Sequence, residues 1–167
     1  MITLPLRCRT NGPDDTRALA AAAAATLEPG DVVALTGELG AGKTCFVQGA
    51  ATELGVEGRV TSPTFVLVRT YEGRIDLVHV DVYRLDNLAE VRDLGEQVFA
   101  TDVITFLEWG DAVEPVLPDD RLEVEIVLGE DPDDREVWFR AHGDWDGRRE
   151  LLVAALADWT ITAEEDL

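Results

Sequence analysis

Gly37-Glu38-Leu39-Gly40-Ala41-Gly42-Lys43-Thr44 is a complete G-x-x-x-x-G-K-[ST] run, the spacing with which a glycine loop wraps backbone N–H groups around an anion. Gly37, Gly40 and Gly42 let the backbone turn tightly and approach phosphate without a Cβ in the way. Lys43 is placed to reach the β- and γ-phosphates of a nucleotide, and the Thr44 hydroxyl to ligate Mg²⁺. Glu38, Leu39, Ala41 and Cys45 complete the expected nucleotide-binding stretch. Composition sharpens the point. Of fourteen basic residues thirteen are arginine, and Lys43 is the only lysine. A chain that uses arginine almost everywhere else keeps an ammonium where a compact point charge must fit between phosphates.

Nucleotide hydrolysis also needs a carboxylate at the end of an apolar strand, to hold the metal and its water, and a group that orients the attacking water. Two runs end that way: Leu77-Val-His-Val-Asp81 and Val103-Ile-Thr-Phe-Leu-Glu108. Spacing alone leaves open which acid serves the metal. His79 reads as a strand filler, sharing a face with Asp81 only where the strand is regular.

These residues need elements to position them. Asp31–Thr36, ahead of the glycine loop, is a short apolar run of the kind a buried strand shows, and Thr44–Leu54 reads as a helix. Strand, loop and helix N-terminus in that order join a helix dipole to unpaired donors. Thr3–Arg9 reads as a first strand, and Pro13–Leu27 as a helix capped at Asn11 or Gly12 and ended by Pro29-Gly30. Thr64–Glu72 and Arg74–Arg84 form a predicted hairpin around Gly73, Asp86–Phe99 is helical, and Val103–Trp109 is a buried strand. Arg121–Leu128 and Arg135–Ala141 pair across the turn-forming Gly129–Asp134 stretch. Asp146–Trp159 is predicted as an amphipathic closing helix. Residues 1–160 then make one α/β domain, and residues 161–167 an acidic tail.

A length of 167 residues with 46% hydrophobic content suits one domain with a real core. Cys8 and Cys45 are too far apart in sequence for a disulfide framework, lack zinc spacing, and read as small buried hydrophobes. No signal segment or membrane span is expected, which points to the cytoplasm. The net charge of −20 argues against a protein that grips tRNA or DNA by itself, since Lys and Arg supply most such affinity. Acid gathers between Asp111 and Glu136, with eleven Asp or Glu against Arg121 and Arg135, and again at Glu164–Asp166. That surface is a solvated one or a docking face for a basic partner.

Together with the glycine loop, Gly30-Asp31, Ser62-Pro63-Thr64-Phe65, His79-Val-Asp-Val-Tyr-Arg-Leu85, Leu94-Gly95 and Glu108-Trp109 occur in the order and spacing of the TsaE (YjeE/YdiB) family, which the chain resembles over about residues 14–118. The resemblance implies a single P-loop NTPase-like domain, a mixed β-sheet flanked by helices. It implies a small ATPase, slow alone, that works with the TsaB and TsaD proteins to make threonylcarbamoyladenosine (t6A) at position 37 of tRNAs reading ANN codons, the transfer itself being done by TsaD. Carried over by position, Lys43 and Thr44 match the nucleotide and Mg²⁺ residues, Asp81 the family's acid after the histidine, and Glu108 a second acid near the metal. The mechanism expected from this has Thr44 and Glu108 around the metal and Asp81 positioning or polarising the attacking water. Thr16 matches a threonine near the adenine, Trp109 a tryptophan beside the site, and Ser62, Pro63 and Thr64 a switch-like segment. Trp109 is equally readable as a core aromatic. Tyr83 and Arg84 fit the motif, Arg84 more readily as a structural salt bridge than as a phosphate ligand. The chain departs from the family in Cys45, where a second hydroxyl is usual, in Phe65 for a frequent tyrosine, and in the acidity after Arg121.

Two other classes share the loop. A GTPase needs an N-K-x-D guanine-reading motif, which a chain whose only lysine is Lys43 does not contain. A small-molecule kinase needs an acceptor pocket and an arginine-rich lid, for which only Arg148-Arg149 is available. A nucleotide-binding module that docks partners without catalysis is the third alternative.

Overall fold

The computed structural model describes residues 5–61, 68–82, 88–93, 95–108 and 114–162. Seven strands form one mixed sheet in the order β1-β7-β6-β2-β5-β4-β3: β1 (Leu6–Thr10), β2 (Val32–Gly37), β3 (Val68–Tyr71), β4 (Asp76–Asp81), β5 (Val103–Glu108), β6 (Arg121–Leu128) and β7 (Arg135–His142). The central strands β6, β2, β5 and β4 run parallel, while β7 joins β6, β1 joins β7 and β3 joins β4 antiparallel. Parallel strands are buried on both faces, which is why β2, β4 and β5 read as near-continuous apolar runs.

Two helices, α1 (Pro13–Ala24) and α2 (Lys43–Glu53), and the C-terminal segment cover one face. Leu35, Leu77, Ile104, Phe106 and Val124 of the sheet meet Leu19, Phe46, Val47 and Leu152 there. On the other face Val98 of α4 (Gly95–Val98), which follows the short α3 (Leu88–Asp93), packs on Val78, Val80 and Leu107. The two-residue period of β4 thus sends Val78 and Val80 to one side and Leu77, His79 and Asp81 to the other, beneath α2. α1 and α2 cross closely enough that a Cβ on Gly49 would lie 2.2 Å from the Arg17 carbonyl oxygen.

Of the predicted hairpin, Val68–Tyr71 and Asp76–Asp81 pair antiparallel, and residues 64–67, 83 and 84 lie outside the described residues. The P-loop helix and the β6–β7 pair match their sequence readings to within a few residues. The C-terminal helix does not. Residues 143–148 form 3-10 turns and only Arg149–Ala155 is α-helical, here α5. Gly143 at φ +65, Gly147 and the two Asp residues Asp144 and Asp146 suit tight turns better than helix interior. Residues 160 and 161 return to the sheet edge: Thr160 bridges Cys8, and the Ile161 N–H donates to the Arg7 carbonyl at 2.9 Å. Among the described residues no helix is long and apolar enough to cross a membrane.

Candidate phosphate-binding site

β2 ends at the centre of the sheet, its chain turns through Glu38–Gly42, and α2 starts at Lys43. Gly37, Gly40 and Gly42 take φ of +149, +82 and +114, so the three glycines expected to shape the loop do so. An α-helix cannot pair its own first N–H groups, so those of α2 open toward the loop. The Lys43 side chain is buried beneath the loop and Nζ donates to the carbonyls of Gly37 at 2.7 Å and Glu38 at 3.1 Å. The buried ammonium is held against the loop that an incoming anion would meet.

Thr44, on the first turn of α2, reaches down to the sheet, its Oγ1 donating to Glu108 Oε1 at 3.0 Å. Glu108 ends β5 and is 3% exposed; Asp81 ends β4, is 7% exposed, and is its register partner. Neighbouring strands run about 4.8 Å apart, so the two carboxylates that sequence could not rank stand side by side at the same rim. His79 Nε2 also lies 3.0 Å from Glu108 Oε1, and the imidazole is fully buried. The filler reading of His79 is therefore incomplete: its ring is bonded to a candidate site acid. The strand period already placed it beside Asp81, but the bond to Glu108 depends on β4 lying next to β5, which no local pattern states.

Two depressions flank the glycine loop. One, of about 530 Å³, lies along Thr36–Glu38 and the end of β6 at Glu125–Leu128. The other, of about 290 Å³, is lined by Gly12, Pro13, Thr16, Arg17, Gly40–Gly42, Cys45, Asp133 and Arg135. Thr16 sits at its floor, 2% exposed, its hydroxyl 2.8 Å from that of Thr10. Cys45 is half-buried, not the core residue expected, with Sγ 3.3 Å from the Pro13 carbonyl oxygen. Burial raises its thiol pKa above the usual 9.0, with Arg17 opposing and Asp14 reinforcing the shift. Arg135, absent from the sequence candidates, donates from Nε to the Ala41 carbonyl at 2.7 Å and also lies 3.5 Å from that of Gly40. A residue 94 positions away along the chain thus braces the loop. Ser62, Pro63, Thr64, Tyr83, Arg84 and Trp109 lie outside the described residues.

Central parallel strand, glycine loop, buried lysine and two acids on the adjoining parallel strands define a P-loop α/β protein. A family model described as "Threonylcarbamoyl adenosine biosynthesis protein TsaE" matches residues 10–137. The tRNA threonylcarbamoyladenosine biosynthesis protein TsaE of Bacillus subtilis is 41% identical over 91% of this chain and 94% of its own length. That of Treponema pallidum is 42% identical over 89% of this chain and 100% of its own. The crystal structure of Bacillus subtilis YdiB superposes with a TM-score of 0.75 at 37% identity, covering 92% of this chain and 94% of that one. The chain belongs to the TsaE family.

Proposed function

We propose that this chain is a P-loop ATPase that supports t6A formation at position 37 of tRNAs reading ANN codons, acting with TsaB and TsaD and leaving the threonylcarbamoyl transfer to TsaD. The observation that carries the ATPase reading is the convergence of the Thr44 hydroxyl and the Glu108 carboxylate, with Asp81 beside it, below a glycine loop that holds Lys43. Membership of the family, whose relatives are named for t6A biosynthesis, supports the pathway assignment.

The donor set fits Mg²⁺. A hydroxyl and carboxylate oxygens are hard ligands, and a magnesium site borrows the rest of its shell from phosphates and water. Among the described residues no group of three or more His, Cys, Asp or Glu forms a self-sufficient metal cage, as suits a site completed by its substrate. Thr44 and Glu108 would hold the ion, which when bound neutralises charge on the β- and γ-phosphate oxygens. The loop amides and Lys43 bind and orient the phosphates, and Asp81 positions and polarises the attacking water. The nucleoside is assigned to the smaller depression, beside the α2 N-terminus, Thr16, Cys45 and Arg135; Trp109 and the Ser62–Thr64 segment remain family-based expectations for the same site.

The rival kinase reading loses support from its lid candidates Arg148-Arg149, since both are engaged elsewhere, Arg149 with the Asp146 carboxylate. Arg148 pairs with Asp31 through Nη1 at 2.7 Å and Nη2 at 2.9 Å, at the end of β2 away from the loop, and stacks 4.0 Å over Trp145. The test of nucleotide binding is calorimetry of ATP with Mg²⁺ on wild type and Lys43→Ala. Removing the ammonium is expected to weaken ATP at least about a hundredfold, the scale of losing one buried charge-assisted contact. Equal affinity in the two proteins would overturn the site.

A further inference from the structure

β4 carries an imidazole with no exposed surface at the point where it passes under the P-loop helix. Its Nε2 lies 3.0 Å from Glu108 Oε1, the same oxygen that accepts the Thr44 hydroxyl at 3.0 Å. An ionised carboxylate only accepts, so this contact places the ring hydrogen on Nε2. Both bonds land on Oε1 and neither uses Oε2. Two donors from different elements, a rigid strand and the first turn of α2, therefore fix the rotation of one carboxylate. Thr44 can turn its lone pairs elsewhere while its hydrogen stays on Glu108, whereas His79 has no other described partner: Nδ1 is buried without one among the described residues. A strand filler of this volume would be apolar, as Leu77, Val78 and Val80 around it are. A buried imidazole costs desolvation that, among the described residues, only its bond to Glu108 offsets.

We infer that His79 is a positioning residue: donating from Nε2, it holds the Glu108 carboxylate in the rotamer that serves the metal side of the phosphate site. The inference rests on the reading of Glu108 as a magnesium ligand. Outer-shell partners of metal-binding side chains typically govern about 10–100-fold in metal affinity.

The test compares wild type with His79→Leu, which keeps apolar bulk without a donor, and His79→Gln, which keeps an N–H at similar reach. The readout is the Mg²⁺ dependence of affinity for a non-hydrolysable ATP analogue, beside the affinity without metal. The expectation is that His79→Leu needs about tenfold more Mg²⁺ while metal-free affinity stays within about twofold, and that His79→Gln recovers most of the loss. A readout free of nucleotide and metal is the imidazole ¹⁵N spectrum of the folded wild-type chain, which contains only two histidines, His79 and His142. A slowly exchanging Nε2–H that is perturbed by Glu108→Ala is expected. Wild-type Mg²⁺ dependence with no change in His79→Leu, equal loss in His79→Leu and His79→Gln, or a His79 ring protonated only at Nδ1 would each overturn the inference. A wild type whose analogue binding ignores Mg²⁺ would instead overturn the magnesium site itself. If His79→Leu fails to fold, the Gln variant and the wild-type spectrum decide.

Discussion

At the scale of single residues the site is built by hydrogen bonds that share a donor or an acceptor. Lys43 satisfies two loop carbonyls, and Thr44 and His79 share one oxygen of Glu108. Cys45 offers a direct probe of the depression beside the loop. Its thiol is raised above 9.0 chiefly by burial, so the reactive thiolate is scarce at neutral pH and grows as pH climbs past about 9. Iodoacetamide labelling followed by mass spectrometry should therefore be slower than for a free thiol, should accelerate with rising pH, and should slow further when ATP and Mg²⁺ are added. Cys8, fully buried and pushed up to about 12 by that burial, serves as the internal reference and stays unlabelled in the folded chain. Labelling of Cys45 that ignores ATP would move the nucleoside out of that depression.

At the scale of elements the site depends on how closely α2 lies against α1 and the sheet. Gly49→Ala separates two effects of opposite sign. Alanine favours a helix over glycine by about 1 kcal/mol, while forcing atoms into a packed crossing costs about 1–3 kcal/mol. Here the added carbon would sit 2.2 Å from a backbone oxygen and 2.6 Å from a Cα of Arg17, atoms that move only if the helices part. The crowding should win, with a net loss of stability of up to about 2 kcal/mol that lowers the urea midpoint and loosens nucleotide binding with it. A midpoint at or above that of wild type would show that the crossing yields. Local signals made much of this arrangement legible. The glycine loop, its strand and its helix are contiguous, and Asp81 and Glu108 each end an apolar run. Their pairing was not legible, because it arises from the register of two strands whose order no single run reveals. Arg135 was invisible for the same reason, since it meets Ala41 only once β7 has joined β6. The closing helix was misread because an amphipathic pattern over residues 146–159 outweighed the turn-forming Asp and Gly residues at its start.

At the scale of the whole molecule a chain of net charge −20 keeps three basic groups at the glycine loop. Lys43 lies under the loop, and Arg17 and Arg135 border the smaller depression. The acidic surface elsewhere disfavours an independent grip on tRNA. On the proposed reading the RNA is met through TsaB and TsaD, and ATP turnover is this chain's contribution to the complex. The most direct measurement is phosphate release from saturating ATP by wild type and by Asp81→Asn, each mixed with TsaB and TsaD. Wild type should raise release well above the partners alone, and Asp81→Asn, still binding ATP, should fall by about 10²–10⁴-fold, the range for loss of a group that handles the attacking water. Equal rates from the two chains, or no release beyond that of TsaB and TsaD, would contradict the assignment of this chain as the ATPase and of Asp81 as the residue that readies the water.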